Sequence, residues 1–199
     1  MYYCKGAALA ALCLVAGAAN ASIVILVGPG NFDGDENVLY NENGLLDNGP
    51  LVQGLTNQTG AIVDFFDASE DLVTPSGGQA RVEAVDGGFS ALSIQMDEPA
   101  SNFGTIILNL HSSGDGTVMF DIVETGVGST VAMLDLDGSG ENFFRIYGDS
   151  GSTIDKVSLI TTVDHDDIRQ VRIGGAVPEP SALLALGVGL ALYSVRRRR

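Results

Sequence analysis

Short runs of alternating or β-branched hydrophobic residues recur along most of this chain, and the gaps between them are filled by glycine, aspartate, asparagine, serine and proline. In TVMFDIVE, Val118, Phe120 and Ile122 fall on one face and Asp121 on the other, the two-residue period of a half-buried strand. The runs SIVILV, VLY, AIVDFFD, QARVEAV, FSALSIQM, FGTIILNL, STVAMLDL, NFFRIY, TIDKVSLITT and DIRQVRIGG read the same way. Between them, GPG, DNGP, PSGG, DGG, SSGDG and DGSG supply residues that tolerate tight turns. Many short strands with no convincing helix predict an all-β body, an antiparallel β-sandwich or jelly roll, over residues 22–176. A β-solenoid is the competing architecture, but no fixed repeat length supports it.

Both ends of the chain break this pattern. Residues 1–21, MYYCKGAALAALCLVAGAANA, carry one positive charge at Lys5 and then an apolar run. Small residues at Ala19 and Ala21 give the spacing a signal peptidase accepts, with Ser22 as the new N-terminus. The run is of signal-peptide rather than membrane-span length, so a cleaved signal is expected over an N-terminal anchor. Cys4 and Cys13 both lie in this segment, so a processed protein has no cysteine and no disulfide.

Residues 177–199 form the other exception. Pro178 and Pro180 stop any preceding structure, Ser181 can cap a helix that starts after it, and residues 182–195 are apolar and rich in Ala and Leu. Arg196, Arg197, Arg198 and Arg199 then close the chain. Fourteen residues of helix span roughly 21 Å, short of a ~30 Å hydrocarbon core, but the long arginine side chains extend that reach to the headgroups. A C-terminal transmembrane helix is therefore expected, with the arginines cytoplasmic and the body outside. That orientation agrees with the signal peptide at the other end.

Val177, Pro178, Glu179 and Pro180, with an apolar helix and a terminal arginine cluster after them, resemble the PEP-CTERM sorting signal of Gram-negative bacteria, a tail also known as the ice-binding protein C-terminal domain. The resemblance implies processing by an exosortase near Pro178–Pro180. It also implies export across the inner membrane, a membrane-anchored precursor, and a final place at the cell surface or in an exopolysaccharide-bearing matrix such as biofilm. An ordinary, uncut tail anchor is the alternative.

Charge narrows the partners of the body. Between Ser22 and Ala176 there are 24 acidic and five basic side chains, a net charge of −19. Such a surface repels phosphate backbones, so nucleic acid is not an expected partner, while cations are. Three acidic stretches carry hard oxygen donors suited to calcium. Asp135, Asp137 and Glu141 surround a glycine turn and form the preferred candidate. Asn31, Asp33, Asp35 and Asn37 form a second, and Asp164, Asp166 and Asp167 a third. None has the spacing of an EF-hand, and each also reads simply as turn residues.

Catalytic signatures are missing: there is no G-x-S-x-G, H-E-x-x-H or P-loop. His111 closes an apolar run, and His165 lies among aspartates expected to raise its affinity for protons. A non-catalytic structural or binding component is expected, with a secreted hydrolase of matrix polysaccharide as the alternative. A sugar platform needs an outward aromatic face. The chain has no Trp, but Phe65–Phe66 and Phe143–Phe144 are adjacent pairs, and alternation should turn one of each pair outward. Threonines are too scattered for an ice-binding array.

Overall fold

The computed structural model describes residues 23–76, 80–98, 101–138 and 140–175. The signal segment, its cleavage site and the C-terminal tail with its helix lie outside the described residues. Within them the chain runs β1 (Ile23–Val27), β2 (Glu36–Leu39), β3 (Asn48–Gly49), β4 (Leu51–Thr56), β5 (Ile62–Phe66), β6 (Leu72–Val73) and β7 (Arg81–Ala84). It continues with β8 (Phe89–Met96), β9 (Thr105–Ser112), β10 (Gly116–Glu124), β11 (Gly128–Leu136), β12 (Glu141–Gly148) and β13 (Ile154–Gly174). Apart from one 3-10 turn at Asp149–Gly151, the described residues are strand and loop. Every strand pairing is antiparallel.

Strand β13 organises the body. Its first half lies between β10 and β8, and its second half between β9 on one side and β2 and β7 on the other. The path β13–β2–β4–β5–β8 returns to β13 and closes like a barrel. Two wings extend from it: β9–β12–β1 from the second half of β13, and β10–β11 from the first. The wings pack face to face, with Phe120 of β10 against Phe144 of β12. We call the layer built on β1, β12, β9 and the second half of β13 sheet I, and the opposite layer sheet II.

Alternation places the core where the sequence puts it. Ile106, Leu108 and Leu110 of β9, Val118, Phe120 and Ile122 of β10, and Phe144 and Ile146 of β12 are all fully buried in one cluster. Phe65 is buried while Phe66 is 44% exposed, and Phe144 is buried while Phe143 is only partly so. The expected outward member of each phenylalanine pair is thus present.

One expectation changes. TIDKVSLITT and DIRQVRIGG are not two strands joined by an acidic loop; residues 154–174 form one strand. The DHDD stretch lies inside it, where two residues of β13 step against one of β9 between His165 and Asp167. This bulge lets the strand turn from one sheet into the other without breaking. It exposes Asp164 and Asp166 but buries His165 and Asp167.

Candidate functional site

The outer face of sheet I gathers most of the basic side chains of an acidic body. Strand alternation puts Phe143 and Arg145 of β12, Ile107, Asn109 and His111 of β9, and Asp167, Arg169 and Arg172 of β13 on the side away from the core. Arg169 and Arg172 are three apart and would face opposite ways in a regular strand. A second bulge resolves this: Arg169 pairs with Asn109 and Arg172 with Ile107, so three steps on β13 match two on β9. Gln170 takes the extra residue at φ 54°. The registers then form cross-strand rows: Leu26–Arg145–Ile107–Arg172–Asn37, and beside it Phe143–Asn109–Arg169–Arg81. Arg81, Arg145, Arg169 and Arg172 are four of the five basic residues of the body.

Two of these arginines are neutralised in place. Arg169 donates Nε to Asp167 Oδ1 at 2.6 Å and Nη2 to Oδ2 at 2.5 Å, with Glu141 4.0 Å away. The Asp167 hydrogen bond, more than the opposing effect of burial, holds its pKa above the usual guanidinium value. Arg81 pairs with Glu83. Arg145 and Arg172 have no carboxylate within 4.0 Å among the described residues.

The loop between β1 and β2 closes over this end of the face. Phe32 sits edge-on to Tyr147 at 5.1 Å, and the Arg145 guanidinium lies 5.9 Å from the centre of the Phe32 ring. Gly30 passes so close to the Arg145 guanidinium that a Cβ there would collide with it. Arg172 Nη1 donates to Asn31 Oδ1. Asp35 accepts from Phe32 N and from Thr105 Oγ1, both at 2.7 Å. The loop is therefore tied to the sheet by side chains from β9, β12 and β13.

Asn109 lies in the row beneath. It is 0% exposed, and neither its amide nitrogen nor its oxygen finds a hydrogen-bond partner among the described residues. A buried unpartnered polar group costs about 1–3 kcal/mol. Its flanking residues are the half-buried ring of Phe143 and the locked Arg169. The half-buried Phe143 ring and the Arg145 and Arg172 guanidinium groups form the accessible part of this face, and the covered Asn109 amide lies in the same row as Phe143.

The three residues of the preferred calcium candidate come from two sheets and the turn that joins them. Asp135 is exposed on β11 in sheet II, opposite Thr117, whereas Glu141 opens β12 in sheet I, opposite His111. Asp137 lies in the turn between them, clamped by Asn142, which accepts from its N–H and donates to its carbonyl. Asn31 and Asp35 of the second cluster are engaged in tying the β1–β2 loop to the sheet. Among the described residues no three acidic, histidine or cysteine side chains are grouped to hold a metal ion. His165 is also unlike its expectation: burial depresses its pKa and outweighs the pull of Asp164, Asp166 and Asp167. His111 Nδ1 lies 3.1 Å from Asp166.

The outer face of sheet II is different in kind. Phe66, Ile160, Val131 and Met133 are exposed there, between 44% and 67%, around Asp121, Ser93 and Ser158. It carries one cation, Lys156.

Asn109 and the Arg145–Arg172 pair were not singled out in the sequence. The visible signal for Asn109 was a lone amide within the apolar run TIILNL. For the arginines there was none, because the bulge at Gln170 conceals their common face.

Residues 176–199 match the PEP-CTERM protein-sorting motif. The motif implies export and membrane-anchored processing by an exosortase in Gram-negative bacteria. No curated protein matches the chain. Among solved structures, the body is similar to an aspartate-to-alanine variant of the family 29 carbohydrate-binding module CBM29-2, at 12% identity and TM-score 0.32, over 81% of this chain and 99% of that one. It is also similar to CBM29_1, a family 29 carbohydrate-binding module from Piromyces equi, at 12% identity and TM-score 0.30, over 77% and 90%. Scores this low say nothing of what this chain binds.

Proposed function

We propose that this exported chain is a non-catalytic component of the cell envelope or extracellular matrix, and that its β-sandwich binds polysaccharide on the outer face of sheet I. The sorting motif supports the delivery. The observation that carries the binding is Asn109, a fully buried amide with both polar atoms unpartnered on that face. Sugar hydroxyls donate and accept at once, and meet both halves of such an amide when the flanking side chains shift to uncover it, while a ring face rests on the Phe143 edge. The carboxylates nearest the centre, Asp167 and Glu141, are both turned to Arg169. That arrangement favours holding a ligand over hydrolysing it.

Two measurements test this reading. The intact mass of the protein recovered from its own host, with its cell fraction recorded, reports processing. A chain beginning at Ser22, ending near Pro178–Pro180 and found in the surface or matrix fraction is expected. A chain that keeps Arg199 and stays in the inner membrane overturns the matrix assignment. Co-sedimentation of the full chain with matrix polysaccharide from the producing cells reports binding. Retention that falls at least tenfold in Asn109→Leu and is unchanged in Phe66→Ala is expected. Reducing ends that accumulate and vanish in Glu141→Gln would instead establish the hydrolase.

A further inference from the structure

We propose that the notch between residues 30–32 and the outer face of sheet I is a carboxylate site, formed by Arg145 and Arg172, and that the polysaccharide bound there is an acidic one. This rests on the proposed binding of polysaccharide by that face.

The body carries −19, so its overall field repels anions. Against that background acids are available to pair every arginine, and Arg81 and Arg169 are so paired. Arg145 and Arg172 are not. They sit one strand apart, flanking Ile107, with backbones about 10 Å from each other at ordinary strand spacing. Both guanidinium groups reach the same loop: one packs on Gly30 and the other donates to the next residue, Asn31.

Neither group is satisfied by what it touches. The Arg145 Nε is buried without a hydrogen-bond partner, and its neighbours are Gly30 and a phenyl ring. Arg172 meets a neutral amide oxygen. Each guanidinium is a planar fork of N–H donors, the geometry in which Arg outperforms a point charge in holding a carboxylate. The unpartnered Asn109 amide on the adjoining row supplies a further donor for a neighbouring hydroxyl.

The acids on the same face set a limit on the anion. Asp35 is committed to Thr105 and Phe32 N, and Asp167 and Glu141 to Arg169. Around the notch they repel anions, so a ligand there is held by the fit of a planar carboxylate to the guanidinium groups and not by charge density. A sugar chain bearing single carboxylates fits this surface, and a heavily sulfated one does not.

Affinity electrophoresis of the full chain in detergent tests this, with gels containing polygalacturonate, the same polymer fully methyl-esterified, or dextran sulfate. Polygalacturonate is expected to retard the chain at least tenfold more strongly than its ester, and more than dextran sulfate. Arg145→Met and Arg172→Gln should each remove at least tenfold of that retardation. Arg145→Lys should restore little of it, and Lys156→Gln, which deletes the same charge on sheet II, should change nothing. Circular dichroism confirms that each variant is folded, and either arginine variant suffices if the other is not. Equal retardation by acid and ester overturns the carboxylate site and leaves the polysaccharide reading intact. Strongest retardation by dextran sulfate overturns it as simple ion exchange. Retardation by none of the three, with no binding to native matrix polysaccharide either, removes both.

Discussion

Phe120 of β10 and Phe144 of β12 meet edge to face, ring centroids 5.0 Å apart and planes at 68°. Each comes from a different wing and each is fully buried, so this pair pins sheet II to sheet I. Truncating a buried phenylalanine costs about 3–5 kcal/mol. Phe120→Ala and Phe144→Ala should each destabilise the body by that order. The double variant should cost less than the sum of the two, because the edge-to-face term of ~0.5–1.5 kcal/mol is lost only once. Urea unfolding of the single and double variants measures this; strict additivity would mean the wings are held by other contacts.

Glu36 on β2 holds the β4–β5 hairpin from outside. Its Oε2 accepts from Gln58 N at 2.8 Å, Thr59 N at 2.7 Å and Thr59 Oγ1 at 3.2 Å. Burial alone pushes its pKa up, but the hydrogen bonds from Thr59 and Gln58 together outweigh it, and the net shift is downward. A carboxylate with a lowered native pKa stabilises the fold above its unfolded value, near 4.3, and loses that contribution as pH falls through the native value. Glu36→Ala leaves two turn N–H groups unpartnered and should cost about 1–3 kcal/mol at pH 7. The gap in melting temperature between wild type and variant should narrow below about pH 4. A gap that is constant with pH would show that packing, not charge, is what Glu36 supplies.

How far the sequence carried the fold depended on whether alternation survived. It survived in TVMFDIVE and in both phenylalanine pairs, and there the core and surface sides were legible residue by residue. It failed along β13, because register shifts against β10, β8 and, twice, β9 change the phase of residues 154–174 while hydrophobic spacing reports only unshifted strands. The bulge between His165 and Asp167 buried both within what read as an acidic loop, and the one between Arg169 and Arg172 brought those two to one face. The candidate site was hidden for the same reason, since its rows depend on pairings between β9, β12 and β13 that no local pattern encodes. Asp135 and Glu141 looked adjacent across a short turn, yet that turn is where the chain passes from one sheet to the other.

His165 is buried against Phe89, with ring centroids 6.0 Å apart, and neither ring nitrogen makes a well-formed hydrogen bond among the described residues, the nearest acceptor being the His111 backbone. Burial lowers its proton affinity by more than the His111 backbone and the charges of Asp164, Asp166 and Asp167 raise it, so the native pKa lies below the usual imidazole value. The unfolded chain therefore takes up a proton first, and stability falls as pH drops from about 6.5 toward the native value. His165→Leu should flatten the stability profile over that interval and should not destabilise the protein at pH 7.5, because it removes two buried polar atoms that lack well-formed hydrogen bonds. Thermal melts of both proteins between pH 5 and 7.5 decide the matter. A variant that keeps the wild-type slope would assign the acid sensitivity to other groups.

Asn109 separates stability from binding more sharply than any other position on the face. Its side chain is fully buried and unpartnered, between Phe143 and Arg169 on an outer row whose neighbour Ile107 is apolar. Leucine is close to asparagine in length and has no polar atom to leave unsatisfied, so Asn109→Leu should stabilise the body by about 1–3 kcal/mol. The same change removes the donor and acceptor offered to a sugar, so retention by polysaccharide should fall at least tenfold. A variant that is more stable and no longer binds identifies Asn109 as a group kept for its ligand at the fold's expense. A variant that is less stable and still binds places the amide among the groups that hold the sheet, and moves the binding surface elsewhere.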